Sequence, residues 1–187
     1  RRLEMEVALR QAISQQQLNI HFQPQIRLHD QSLHGAEVLV RWRHPQLGQV
    51  PPVEFIPLAE ESGLILPLGH WVLKTACEQI ACWAYNKDMA NLSIAVNVSA
   101  RQFHQADFVD EVLNIIEQTG ANPSRLKLEL TESMLIDDIE DIITKMTLLK
   151  AHGVGFSLDD FGTGYSSLIS LQRFAPNRVK IEDRKST

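Results

Sequence analysis

An α/β fold, a TIM-like (β/α)8 barrel left incomplete at about six strands with the first two paired as a hairpin, is what the 187-residue sequence predicts. Three features carry that prediction. Short apolar strands alternate with amphipathic helices, the first two strands lie too close together to hold a helix between them, and polar residues gather in one phase at the C-terminal ends of strands. Alternation of this kind argues for βαβ units and a parallel sheet.

Taken in order, the strands are expected at 18–25, 33–42, 93–98, 125–130, 155–158 and 177–181. The helices are expected at 1–14, 52–61, 67–85, 106–119, 138–152 and 167–174. The helices rest on period. Phe108, Val109, Val112, Leu113, Ile115 and Ile116 share one apolar face, and Gly120 follows as a C-terminal stop. Ile139, Ile142, Ile143, Met146 and Leu149, with Gly153 after them, repeat the design. Turn-like His29-Asp30-Gln31-Ser32 separates the first two strands, which fits a hairpin.

Composition narrows the function classes. Hydrophobic residues make up 44% of the chain and the formal net charge is −5, the profile of a globular domain with one sizeable core. No apolar run reaches the roughly 20 residues of a membrane helix, because the stretch 64–73 is broken by Pro67, Gly69 and His70. The start Arg-Arg-Leu-Glu-Met-Glu carries no apolar signal-peptide core. Cys77 and Cys82, five apart on one predicted helix, point to different sides and read as reduced thiols. A cytoplasmic domain is therefore expected, any membrane anchor lying elsewhere in a longer protein. The acidic balance excludes a binder of nucleic-acid polymers, which needs a basic stripe. A small anionic ligand held through metals is compatible with it.

Side chains along a strand alternate faces. One face is apolar throughout: Ile20 and Phe22; Val38, Val40 and Trp42; Ile94, Val96 and Val98; Leu126, Leu128 and Leu130. That face must lie under the helices. The other face, which then points inward, carries Gln23; Glu37, Leu39 and Arg41; Asn97; Lys127, Glu129 and Thr131; Ser157 and Asp159; and Lys180. A single strand-end polar residue commonly does no more than begin a loop. A run of them in phase, with carboxylates and an amide, points to the end of an α/β barrel where chemistry is housed.

Glu37, Asn97, Glu129, Asp159 and Asp160 then share one cleft. Four carboxylates together cannot all ionise cheaply, and a divalent metal removes the conflict. Every donor is an oxygen, which selects Mg²⁺ or Mn²⁺ over Zn²⁺. Two such ions form the usual clamp on a phosphodiester. Lys180 either orients the attacking water or balances the surplus carboxylates; spacing alone does not choose. Asp160-Phe161-Gly162 looks like the magnesium-binding triplet of protein kinases, but no Gly-x-Gly-x-x-Gly loop or His-Arg-Asp accompanies it. His-Glu-x-x-His and Gly-x-Ser-x-Gly are absent as well, and His44, His70 and His104 read as capping or surface residues.

Seven segments resemble the EAL phosphodiesterases that cleave cyclic di-GMP, and they run in that family's order. They are Phe22-Gln23-Pro24, Glu37 through Trp42, Phe55 through Glu60, Asn97-Val98-Ser99, Glu129 through Ser133, Asp159 through Gly164, and Val179-Lys180-Ile181. The resemblance implies hydrolysis of one phosphodiester bond to give linear pGpG, with two Mg²⁺ or Mn²⁺ ions per site in the complete domain. It implies Glu37, Asn97, Glu129 and Asp159 as ligands of one ion, and Asp159 with Asp160 as ligands of the other. Lys180 looks like the lysine at the catalytic water, Glu132 like the glutamate steadying the glycine-rich loop, and Gln23, Leu39 and Arg41 like substrate contacts. A homodimer through the loop 162–166, and fusion to sensory or cyclase domains, are implied too.

Two departures stand out. Val38 replaces the Ala of the Glu-Ala-Leu signature, but it lies on the face away from Glu37 and Leu39, so little effect is expected. The sequence also ends before the family's closing strands and a further glutamate, with Glu182 where the family has Asp and a charged tail at 182–187. A single domain lacking its C-terminal barrel units is thus expected. The alternatives to catalysis are a non-catalytic cyclic di-GMP receptor and an inactive fragment.

Overall fold

The computed structural model describes residues 2–15, 17–131, 134, 139–159 and 178–179; at 158–159 and 178–179 the description covers the backbone. The chain opens with helix α1 (Arg2–Ser14) and a long hairpin of β1 (Leu18–Ile26) and β2 (Leu33–His44). A three-residue strand β3 (Gly48–Val50) folds back on the end of β2, and helices α2 (Pro52–Ser62) and α3 (Ile65–Trp83) follow. Next come β4 (Ser93–Asn97), the short α4 (Ala100–Phe103), α5 (Phe108–Thr119), β5 (Leu126–Thr131), α6 (Ile139–Ala151), β6 (Gly155–Asp159) and β7 (Arg178–Val179). Among the described residues seven strands form one sheet in the order β1-β2-β4-β5-β6-β7, with β3 paired to β2. The β1–β2 pair is antiparallel and every later pair on that path is parallel, so the expected hairpin and βα progression are both present.

Period decided these elements well. Phe108, Val112 and Ile115 are the buried stripe of α5, and Gly120 closes it at φ 70°, a left-handed conformation that suits a residue without Cβ. Leu126, Leu128 and Leu130 are wholly buried under the helices, as are Ile94 and Val96. One continuous core fills the space between the outer sheet face and the helix layer. Trp42 and Phe55 meet edge-on at 5.8 Å within it, and Phe103 packs on Phe108 at 5.1 Å. Cys77 is buried and Cys82 exposed, both as free thiols, in keeping with their five-residue spacing. Among the described residues no helix is long and apolar enough to cross a membrane.

Several boundaries differ from the sequence reading. Helix α3 starts at Ile65 rather than at 67, since Pro67 falls in the first turn, where its missing N–H has no partner to lose. Helix α5 starts at Phe108 rather than at 106. Strand β2 runs on to His44, whose Nδ1 accepts from the backbone N–H groups of Gln46 and Leu47 and so caps the turn into β3. His70 pairs with Glu111 at 2.7 Å. The helix expected at 167–174 lies outside the described residues.

Candidate active site at the carboxyl ends of the strands

The sheet register stacks the inward-facing polar residues into a rising series. Gln23 is the antiparallel partner of Glu37, and Glu37 stands level with Ala95. Asn97, two residues farther along β4, stands level with Glu129, and Glu129 with Ser157. Asp159, two residues farther along β6, stands level with Thr131. Each two-residue step is about 6.6 Å along a strand. Strand tilt and stagger in a barrel absorb such steps, so groups at different heights on their own strands reach one mouth.

Side chains close the gap. Asn97 Nδ2 donates to Glu37 Oε1 at 3.0 Å, joining β2 to β4 across the mouth. A carboxylate only accepts, so this bond sets the orientation of the amide and turns its carbonyl oxygen away as a further acceptor. Glu129 is a buried carboxylate, 2% exposed, and accepts from Ser157 Oγ at 3.2 Å. Its backbone carbonyl accepts from Val98 N–H at 3.0 Å, which extends the β4–β5 pairing one residue beyond Asn97.

A cavity of about 550 Å³ opens beside these groups. Leu39, Arg41, Asn97, Thr131 and Glu60 of α2 line it, over an apolar floor that includes Ile56 and Leu68. That volume falls in the range of small-molecule sites. Arg41 donates from Nη1 to the carbonyl of Val40 at 3.0 Å, which anchors one edge of the guanidinium and leaves the rest of its N–H fork for a ligand. Gln23 is exposed on β1, next to Glu37 in the register.

The structure thus brings together Glu37, Asn97 and Glu129 on adjacent strands and places Leu39 and Arg41 on the neighbouring cavity wall. Asp159 is positioned by its backbone alone. Asp160, Glu132 and Lys180 lie outside the described residues, as does the proposed dimer loop 162–166. Among the described residues no cluster of three or more His, Cys, Asp and Glu could hold a metal; the described donors are two carboxylates and one amide. Their chemistry fits a hard divalent ion: all are oxygens, one carboxylate is buried, and neither His nor Cys intrudes.

Three neighbours had no role assigned from sequence. Ser157, one of the inward residues, is the donor to Glu129. Thr131 and Glu60 line the cavity. Helix α4 was not expected, although its signal is a four-residue string: Ser99 accepts from the Gln102 N–H at 3.2 Å while Gln102 Oε1 accepts from the Ser99 N–H at 3.1 Å, a capping box. Ser99, which closes the Asn97-Val98-Ser99 motif, is therefore a helix cap.

Comparison with known proteins places this arrangement. Residues 6–185 match the EAL domain. MucR of Pseudomonas aeruginosa, a bifunctional diguanylate cyclase/cyclic di-GMP phosphodiesterase, is 45% identical over 174 residues, 93% of this chain and 25% of MucR. The cyclic di-GMP phosphodiesterase NbdA of the same organism is 42% identical over 180 residues, 96% of this chain and 23% of NbdA. The chain therefore spans only a small part of the length of these relatives. The solved PaMucR phosphodiesterase in complex with c-di-GMP superposes with a TM-score of 0.91 at 44% identity, over 96% of this chain and 72% of that one. On the length of the match, the shared motifs and the common fold, this chain belongs to the EAL domain family.

Proposed function

We propose that this chain is the hydrolytic domain of a cyclic di-GMP phosphodiesterase, opening one phosphodiester bond with the help of Mg²⁺ or Mn²⁺ and releasing linear pGpG. The observation that carries the reading is the all-oxygen donor set at the strand ends, in which Asn97 bonds Glu37 and the buried Glu129 stands beside it. The PaMucR structure, a complex with c-di-GMP, supports the choice of ligand.

Glu37, Asn97, Glu129 and Asp159 would hold one ion, and Asp159 with Asp160 the other. Bound there, the ions would supply Lewis-acid polarisation of the phosphodiester and would make a coordinated water more acidic. The chain's own residues bind and orient. Ser157 donates to Glu129 and holds its carboxylate in place before any ligand arrives. Arg41, steadied by the Val40 carbonyl, offers a guanidinium fork to a phosphate. Gln23 and Leu39 contact the rest of the substrate. Lys180 orients the attacking water, and Glu132 steadies the glycine-rich loop after Asp160.

The test is incubation of the purified chain with cyclic di-GMP and Mn²⁺, followed by chromatography for pGpG. Metal-dependent product that disappears in Glu37→Ala is the expected result. Tight binding of cyclic di-GMP with no product would instead make the chain a receptor, and the absence of both would overturn the reading.

A further inference from the structure

Two residues beyond Asn97 the chain enters α4, a helix of four residues held from three sides by α2, α3 and α6. From α6, Lys145 reaches its ammonium to the carbonyl oxygens of Phe103 at 2.9 Å and Gln105 at 3.0 Å, and pairs with Asp141 at 2.8 Å. Lys145 is only 6% exposed. An ammonium has three donors, and here three acceptors meet it. From α2, the carbonyl of Glu60 accepts from Arg101 Nη1. On α3, Gly69 leaves a notch that the Gln102 side chain fills, since a Cβ at Gly69 would sit 1.6 Å from Gln102 Nε2.

Taking an ammonium out of water is costly before its partners act, and an apolar residue of equal volume would pack there more cheaply. Lys145 therefore does something that packing cannot. It satisfies carbonyls at the end of a helix too short to satisfy its own. The far end of that helix is the Ser99 cap, one residue from Val98, whose N–H is bonded to Glu129, and two from Asn97.

We propose that α4 is a positioning clamp for Asn97, anchored by Lys145 of α6 and by its own Arg101, which reaches to α2, so that the Asn97–Glu37 bond at the metal mouth is set by helix packing outside the barrel. The proposal rests on the metal reading of Asn97 given above. Its own readout needs neither metal nor substrate.

In an ¹H–¹⁵N spectrum, the Asn97 side-chain amide, assigned by its loss in Asn97→Asp, reports the bond to Glu37. Lys145→Met and Arg101→Ala are each expected to move that resonance toward the position of a solvated amide. Mn²⁺ affinity, read by calorimetry, is expected to fall about 10-fold, as when a residue supporting a metal ligand is lost. Lys145→Arg, which keeps the charge, is expected to recover part of both. A lowered melting temperature with the Asn97 resonance unmoved would make the anchors structural only and overturn the proposal. Arg101 is exposed, so Arg101→Ala decides the matter if Lys145→Met does not fold. A wild-type chain that binds no Mn²⁺ would sink the metal reading, while the amide resonance would still decide the clamp.

Discussion

Gly69→Ala tests how tightly the site wall is packed. The added Cβ would lie 1.6 Å from Nε2, 2.3 Å from Cδ and 2.8 Å from Oε1 of Gln102. A flexible side chain at the surface would swing away at little cost. Gln102 is 5% exposed, and its Oε1 accepts from both N–H and Oγ of Ser99 at 3.1 Å. Moving it breaks the capping box. Overpacking costs about 1–3 kcal/mol, and two lost hydrogen bonds cost about 0.5–1.5 kcal/mol each. Against this stands a gain of about 1 kcal/mol from replacing glycine by alanine inside a helix. The net is a loss of about 3 kcal/mol, or roughly 6–12 °C in Tm for a chain of this size.

The assay is urea and thermal unfolding followed by circular dichroism, in two backgrounds. With Gln102→Ala already in place the obstruction is gone, and Gly69→Ala should become stabilising by about 1 kcal/mol through helix propensity alone. That reversal of sign is the core of the prediction. Equal destabilisation in both backgrounds, or stabilisation of the wild type by Gly69→Ala, would refute the packing argument.

Other expectations follow from the same geometry. At 100 times its dissociation constant Mn²⁺ should stabilise the wild type by about 2.7 kcal/mol, a rise of roughly 5–11 °C in Tm, and Glu129→Gln should abolish most of it; an equal rise in the variant would remove Glu129 from the ligand set. Burial, with the neighbouring Glu78 charge adding to it, pushes the Cys77 thiol up from its ordinary 9.0 to about 12. The folded chain thus keeps a proton that the unfolded chain loses in that window. The associated stability is fully present below pH 9 and declines as pH rises toward 12, and Cys77→Ala should flatten the slope in urea unfolding. At pH 8 iodoacetamide should label exposed Cys82 quickly and Cys77 only in denaturant, as mass spectrometry would read.

The sequence by itself determined the βα order, the opening hairpin and the faces on which the residues of β1, β2, β4 and β5 lie. Those properties are local: a period of two decides strand faces and a period near 3.6 decides helix faces, whatever lies nearby. Glu37, Asn97 and Glu129 could be placed on one inward face for that reason, and the motifs around them identified the family. Register, distance and partnership were decided only by the tertiary structure. That Asn97 bonds Glu37 from sixty residues away, that Ser157 serves Glu129, and that Lys145 is buried against the end of α4 depend on how strands stagger and helices pack. Helix α4 shows the division most clearly. Its cap was written in Ser99 and Gln102, but four residues are too few to form a stable helix alone. It exists because α2, α3 and α6 hold it, and those contacts join residues far apart in the chain.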